Sequence, residues 1–177
     1  MGIFRDHPLQ MPFWDQFRTV PSGFMMSKEA AGYWAFHVVA GENGAVSLFM
    51  SLLSELSGAV TVEMEDKHAE RAWKGGAPGV TPVRDALLPV EQPLIALGGV
   101  QIMVFTPSDQ LTLNPVRELF IYSQHERWAD LLEAKGIKEQ RLVRTKSWKF
   151  ARRSAAPAPE LSELVATAAH AMGLSPA

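Results

Sequence analysis

The stretch from Gly98 to Gly136, GGVQIMVFTPSDQLTLNPVRELFIYSQHERWADLLEAKG, constrains the fold more than any other part of the chain. Val100, Ile102 and Val104 alternate with Gln101, Met103 and Phe105, the period of a half-buried strand. Thr106-Pro107-Ser108-Asp109 supplies turn chemistry, since Pro fixes φ and Ser and Asp bond nearby backbone. After the short run Leu111 to Leu113 and the break at Asn114-Pro115, residues 118–122 (ELFIY) read as a second strand, apolar enough to be covered on both faces. Ser123-Gln124-His125-Glu126 fits a capping box and predicts a helix from Ser123 through Trp128, Leu131 and Leu132. Gly136 is placed as its left-handed terminator, with Ile137 making the apolar contact behind it.

Length and composition bound the rest. A chain of 177 residues, 47% hydrophobic and 20% charged, suits one globular domain with a sizeable core. The formal charge of -2 gives no global case for nucleic acid or a membrane surface. There is no cysteine, hence no disulfide framework, thiol nucleophile or thiolate metal site. Asp6 and Pro8 break what a signal peptide would need to be apolar, and no stretch reaches membrane-span length. A soluble cytoplasmic protein with no membrane association, no metal and no cofactor is the expectation.

Residues 1–24 carry Phe4, Phe13, Trp14, Phe17 and Phe24. They read as an aromatic arm with a short helix from Pro12, packed on the domain or on a second subunit. From Ser27 to Val39 the reading leans to a helix capped by Ser27, with Ala30, Ala31, Trp34, His37 and Val38 on one face. The run from Tyr33 to Val39 is nevertheless rich in strand formers. Gly41-x-x-Gly44 reads as a plain turn, because it lacks the lysine of a phosphate loop and carries the acid Glu42. A helix follows, with Val46, Phe49, Met50, Leu53 and Leu56 on its apolar stripe and Gly58 as its stop.

Residues 59–66 (AVTVEMED) form the cleanest alternating strand, with Val60, Val62 and Met64 turned inward. Glu63 and Glu65 then share the outer face about 7 Å apart, and Asp66 and His68 follow. Carboxylates beside an imidazole are the raw material of acid/base or metal-assisted chemistry, so Glu63, Glu65, Asp66 and His68 form an acidic candidate site. Solvated acids on an open strand face give the same pattern. Residues 67–74 read as a helical turn or two, and Gly75-Gly76-Ala77-Pro78-Gly79 as a loop. Thr81-Pro82 opens a short helix with Val83 and Leu87 inward; Pro89 interrupts it, and Glu91 to Leu97 adds another turn.

Near the C-terminus, Arg141, Arg144, Lys146, Lys149, Arg152 and Arg153 give residues 141–153 a charge of +6 with no acid. The other eleven bases face all nineteen acids, a balance of -8. Trp148 and Phe150 lie among the bases, the combination that single-stranded nucleic acid grooves use for stacking and charge. A charged edge strand, or a strip that meets an acidic neighbouring subunit, is the competing reading. Residues 154–159 form a Pro/Ala linker, and 160–173 an amphipathic helix (Leu161, Leu164, Val165, Ala168, Met172) that docks on its own domain or on a partner subunit.

Together these features describe an α+β chain, with a single domain over 1–153 and an antiparallel or mixed sheet covered by helices on at least one face. No nucleophile elbow, zinc-helix motif, Walker loop or dinucleotide fingerprint occurs. The leading functional expectation is a noncatalytic binding or assembly protein, self-associating or bound to a protein partner. The alternatives are nucleic acid binding through Arg141, Arg144, Lys146, Trp148, Lys149 and Arg152, and a small enzyme built on Glu63, Glu65, Asp66 and His68.

Overall fold

A computed structural model describes residues 22–140 and 155–177. The N-terminal aromatic segment before Ser22 and the basic segment 141–153 lie outside these residues. In chain order the elements are β1 (Gly23–Lys28), β2 (Trp34–Val39), α1 (Gly41–Leu52) with a 3-10 turn at Leu53–Glu55, β3 (Val60–Asp66), β4 (Arg71–Ala77) and α2 (Val80–Leu97). There follow β5 (Val100–Phe105), β6 (Asp109–Leu113), β7 (Leu119–Ser123), α3 (Trp128–Ala134), α4 (Pro159–Ala171) and β8 (Ser175–Pro176). The strands make one sheet in the order β1-β2-β7-β6-β5-β3-β4-β8, antiparallel at every pairing. The chain is thus α+β, as its pattern predicts. None of the described helices is long and apolar enough to cross a membrane.

Register sorts the side chains. Val38, Leu119, Leu113, Ile102 and Met64 follow one another across the sheet, as do Phe36, Ile121, Leu111, Val104 and Val62. Both rows are buried in one continuous core with Phe49, Leu52 and Leu53 behind α1, Leu87 and Leu94 on α2, Trp128 and Leu132 on α3, and Leu161 and Val165 on α4. The opposite face carries Met25, Ala35, His37, Phe120, Tyr122, Thr112, Met103 and Phe105. Phe120 is 7% exposed yet absent from the core cluster, because it points away from the helices.

Several local readings are overturned. Residues 23–39 form a β-hairpin, not a Ser27-capped helix: aromatic and β-branched side chains gain more from the pleated surface between β1 and β7 than from a helix face. Its turn closes with Glu29 N donating to Tyr33 O and Gly32 N to Glu29 O, and Gly32 supplies the φ of +87° that the reversal needs. The Gly41-x-x-Gly44 stretch is not a free turn but the first turn of α1. Residues 71–77 form β4 where helical turns and a glycine loop were expected, since Arg71 to Ala77 pair throughout with Val60 to Asp66.

Helix α2 runs unbroken through Pro89 and Pro93. An interior proline costs about 3 kcal/mol, but Val83, Leu87, Val90 and Leu94 are all essentially buried, each contributing about 1.5–3 kcal/mol. Packing therefore outweighs the breaks, and exposed Pro89 leaves its freed carbonyl on the wet side. Helix α3 starts at Trp128 rather than at Ser123: the Ser123 hydroxyl donates to Asp109 Oδ1 at 2.6 Å and accepts from His125 N at 2.9 Å, but the turn it closes does not run on into the helix. Its far end follows the expected pattern: Gly136 has φ +81°, Gly136 N donates to Glu133 O at 2.9 Å and Ile137 N to Leu132 O at 3.0 Å. Helix α4 lays Leu161, Val165, Ala168 and Met172 into the core beside α2.

One corner joins four segments. Lys67 N donates to Gly99 O, Gly99 N to Pro115 O, and Ala155 N to Lys67 O, at 2.8–2.9 Å. The His68 ring fills the space over Gly99, where a Cβ would fall 2.2 Å from Nε2. Gly99 also has φ +79°. Two glycine-to-alanine changes separate these effects. Gly136→Ala meets only backbone strain and is expected to cost about 1–2 kcal/mol. Gly99→Ala adds overpacking of about 1–3 kcal/mol. Denaturant unfolding of both variants checks the order, and equal losses would contradict the His68 packing.

Candidate functional site

With the helices on one side, the functional features gather on the other side, at the end of the sheet where the β1–β2 turn meets β7. Residues 33, 35 and 37 alternate with the core residues Trp34, Phe36 and Val38, so Tyr33, Ala35 and His37 face outward. The same alternation in β7 turns Phe120 and Tyr122 outward beside them. His37 stacks on Phe120, with ring centroids 4.7 Å apart and planes 1° from parallel. Tyr33 meets Tyr122 edge to face at 6.0 Å and 69°.

These side chains wall a cavity of about 340 Å³, completed by Met25, Met26, Ser27, Glu29 and Phe36. Glu29 is held by the Ser27 hydroxyl, which donates to its Oε1 at 2.7 Å. His37 Nε2 lies 3.4 Å from Glu118 Oε2, both side chains almost buried. A second cavity, about 220 Å³, lies beyond the tyrosine pair, lined by Tyr33, Tyr122, Phe105, Thr106, Ser108, Asp109 and Gln110 among others. The Tyr33–Tyr122 pair is therefore the shared wall of two adjoining depressions.

Asp109 anchors that end of the sheet from within. Its Oδ1 accepts from Ser123 Oγ at 2.6 Å and Trp128 Nε1 at 2.8 Å, its Oδ2 from Ser108 Oγ at 2.7 Å, and Arg127 stands 3.9 Å away. Burial by itself would raise the carboxyl pKa, but the hydrogen bonds from Ser123, Ser108 and Trp128 and the Arg127 charge together outweigh it and hold the group below the ordinary aspartate value. One carboxylate thus ties β6, β7, the β5–β6 turn and α3 together behind the cavities.

The acidic candidates do not converge. Glu63 and Glu65 lie on the outer face of β3, Glu63 opposite Lys74 and Glu65 paired with Lys67. Asp66, fully buried, is on the core face, where Oδ1 accepts from His68 N at 2.8 Å and Oδ2 has no hydrogen-bond partner among the described residues. His68, expected in solvent beyond the strand end, is 9% exposed, with Nδ1 2.5 Å from Ala156 O and Nε2 2.8 Å from Gly98 O. Both ring nitrogens face carbonyls, so neither offers a lone pair to a substrate. Among the described residues no three His, Asp or Glu side chains are placed to share a metal ion. The candidates Arg141, Arg144, Lys146, Trp148, Lys149 and Arg152 lie outside the described residues. His125 is exposed in the turn before α3.

Sequence reasoning missed Tyr33, His37, Phe120 and Tyr122. The signal was the alternation within Tyr33–Val39 and residues 118–122, which places these four on one face once both runs are strands. Comparisons of the chain with protein-family models, curated proteins and solved structures give no match.

The Asp109 anchor has a measurable consequence. A carboxyl whose folded pKa is depressed adds stability that is present above its unfolded value, 3.8, and lost as pH falls through the lower folded value. Asp109→Asn is expected to be less stable than the wild type at neutral pH, and the gap is expected to narrow as pH is lowered below about 4. Asp109→Ala, which strands buried donors, should cost about 3 kcal/mol. Denaturant titrations across pH check both; a gap independent of pH contradicts the assignment.

Proposed function

We propose that this chain is a noncatalytic binding protein that takes a side chain from an extended segment of a protein partner into the Tyr33–Tyr122 cavity. The observation that carries the reading is the cavity itself: an aromatic-walled depression on a sheet face that no described helix covers, with a carboxylate at its rim. The floor is rigid, being made of β2 and β7 in the interior of the sheet. Beside it, the carboxylate–imidazole pair of Glu118 and His37 has both side chains almost buried, which favours recognition over turnover.

A buried C-terminal stripe on α4 removes one motive for self-association through that helix. Self-association through the aromatic N-terminal segment and a cytoplasmic location remain part of the proposal, on sequence grounds alone. The nucleic-acid alternative draws on residues 141–153, and nothing in the described residues extends it.

Ala35, half-buried in the cavity wall, gives the test. Ala35→Trp fills the cavity from the outer face, whereas Glu63→Gln alters the same face three strands beyond β7. Peptides selected from a displayed random library on the wild type are expected to lose at least tenfold in affinity on Ala35→Trp and to bind Glu63→Gln unchanged. Thermal unfolding would verify that both variants fold. A selection that enriches no peptide, or peptides that bind Ala35→Trp as well as wild type, would overturn the reading.

A further inference from the structure

The corner that joins the β3–β4 turn to the end of α2 and to the chain entering α4 holds a histidine between two acceptors. His68 Nδ1 lies 2.5 Å from Ala156 O and Nε2 2.8 Å from Gly98 O. A carbonyl oxygen only accepts, and a neutral imidazole has one N–H and one bare lone pair. In either neutral tautomer, one ring nitrogen would therefore turn its lone pair toward an oxygen lone pair at hydrogen-bond distance. The doubly protonated ring donates at both contacts, and each becomes a charge-assisted bond.

A cation placed this deeply needs a countercharge. Asp66 supplies one from the same turn: it is fully buried, its Oδ1 accepts from His68 N at 2.8 Å, and its Oδ2 has no hydrogen-bond partner among the described residues. The carboxylate offsets the imidazolium charge, and the imidazolium offsets the cost of burying a carboxylate with one oxygen unbonded. Other charges near the corner are engaged elsewhere or wet. Lys67 pairs with Glu65, Glu70 is exposed, and Arg117, in the turn whose Pro115 O accepts Gly99 N, donates through Nη1 to Ile95 O. Glu160, the first titratable residue after Ala156, is exposed. Residues 92–105, which include Gly98 and Gly99, carry no titratable side chain, and Arg152 and Arg153 lie outside the described residues.

We infer that His68 is a proton-dependent latch: with both ring nitrogens protonated it fastens residues 155–156, and with them the entrance to α4, to the β3–β4 turn and the end of α2. The inference is independent of the Tyr33–Tyr122 cavity. Loss of the second proton removes one donor, so one of the two carbonyl contacts turns from attractive to repulsive. Ala155 N, which donates to Lys67 O at 2.9 Å, is the neighbouring bond along the same segment. Leu161 and Val165 anchor α4 in the core, which confines the opening to the segment before the helix. The latch is closed where the ring holds both protons and opens as rising pH removes one.

Nitrogen NMR of the full chain, labelled at histidine, reads the ring directly. At pH 7.5, about one unit above the ordinary histidine midpoint, both His68 ring nitrogens are expected to give the imidazolium signature. Hydrogen exchange, corrected for the intrinsic rise of exchange with pH, reads the latch. Protection of the Ala155 amide is expected to fall at least tenfold between pH 6 and pH 10, in step with His68 deprotonation, while the Ile137 amide, bonded to Leu132 O, changes less than twofold. His68→Gln, which keeps one donor and one acceptor, should lower Ala155 protection to its high-pH value and remove the pH dependence. The ring signals come from the wild type, so the charge assignment does not depend on that variant folding. A singly protonated ring at pH 7.5 overturns the assignment. Ala155 protection that stays constant across the titration, or that keeps its pH dependence in a folded His68→Gln, overturns the latch.

Discussion

One sorting rule governs this molecule: along β2, β7, β6, β5 and β3 every second side chain goes under the helices, and the rest go to a face with no described helix. A one-residue slip in any of these strands would exchange the two sets, so the buried rows through Phe36 and Val38 fix the register of the whole sheet. The same rows determine where the outward residues stand. His37 is beside Phe120, and Tyr33 beside Tyr122, because Phe36 must be beside Ile121. The candidate site is in this sense a consequence of the core: the packing that holds the helices on one face aligns the rings on the other.

A sheet aligned by apolar contacts alone would leave its corners free, and here two polar nodes fix them. Asp109 works at one end of β6. Its desolvation is unfavourable, yet three donors and a nearby guanidinium return more than burial removes, as its lowered pKa indicates. At another corner, His68 sits between the Gly98 carbonyl and the Ala156 carbonyl, and so joins the β3–β4 turn to the end of α2 and to the strand of chain entering α4. Gly99 is the condition for that contact, since any Cβ there would occupy the ring's place. The two nodes differ in kind. The first positions a wall of the cavities, while the second closes the domain far from them in sequence terms and uses up the one histidine that a reading of the acidic strand would have made catalytic.

Strong local alternation was legible without a structure: residues 60–66 and 100–105 are strands where their period says so, and Gly136 ends α3 in the expected left-handed conformation. What was illegible depended on partners distant in sequence. The stretch 27–39 fits helix and strand templates alike, and only pairing with β7, some eighty residues on, selects the strand. The Gly75-Gly76 pair looks like a loop until β3 is laid beside it. Ser123 has the right neighbours for a capping box, and its oxygen does accept from His125 N, but its hydroxyl is tied to a buried carboxylate of β6 and the helix begins only at Trp128. Pro89 obeys its local rule as a breaker in isolation, but the buried stripe of α2 overrides it.

The site was harder still to read, for a related reason. Glu63, Glu65, Asp66 and His68 are close in sequence, and the pleat divides them between two faces; Tyr33, His37, Phe120 and Tyr122 are far apart, and the same pleat unites them. Chemistry-bearing types in a short window attract notice, whereas aromatic residues spread over two strands resemble core. They are not core here, because the outward register keeps them out of the helix-covered cluster while their neighbours' burial holds them rigid. Rigidity of this kind matters for recognition: rings fixed by a sheet lose little freedom when a guest arrives, so contacts that are individually weak can count toward affinity. A loop presenting the same four rings would have to order them first.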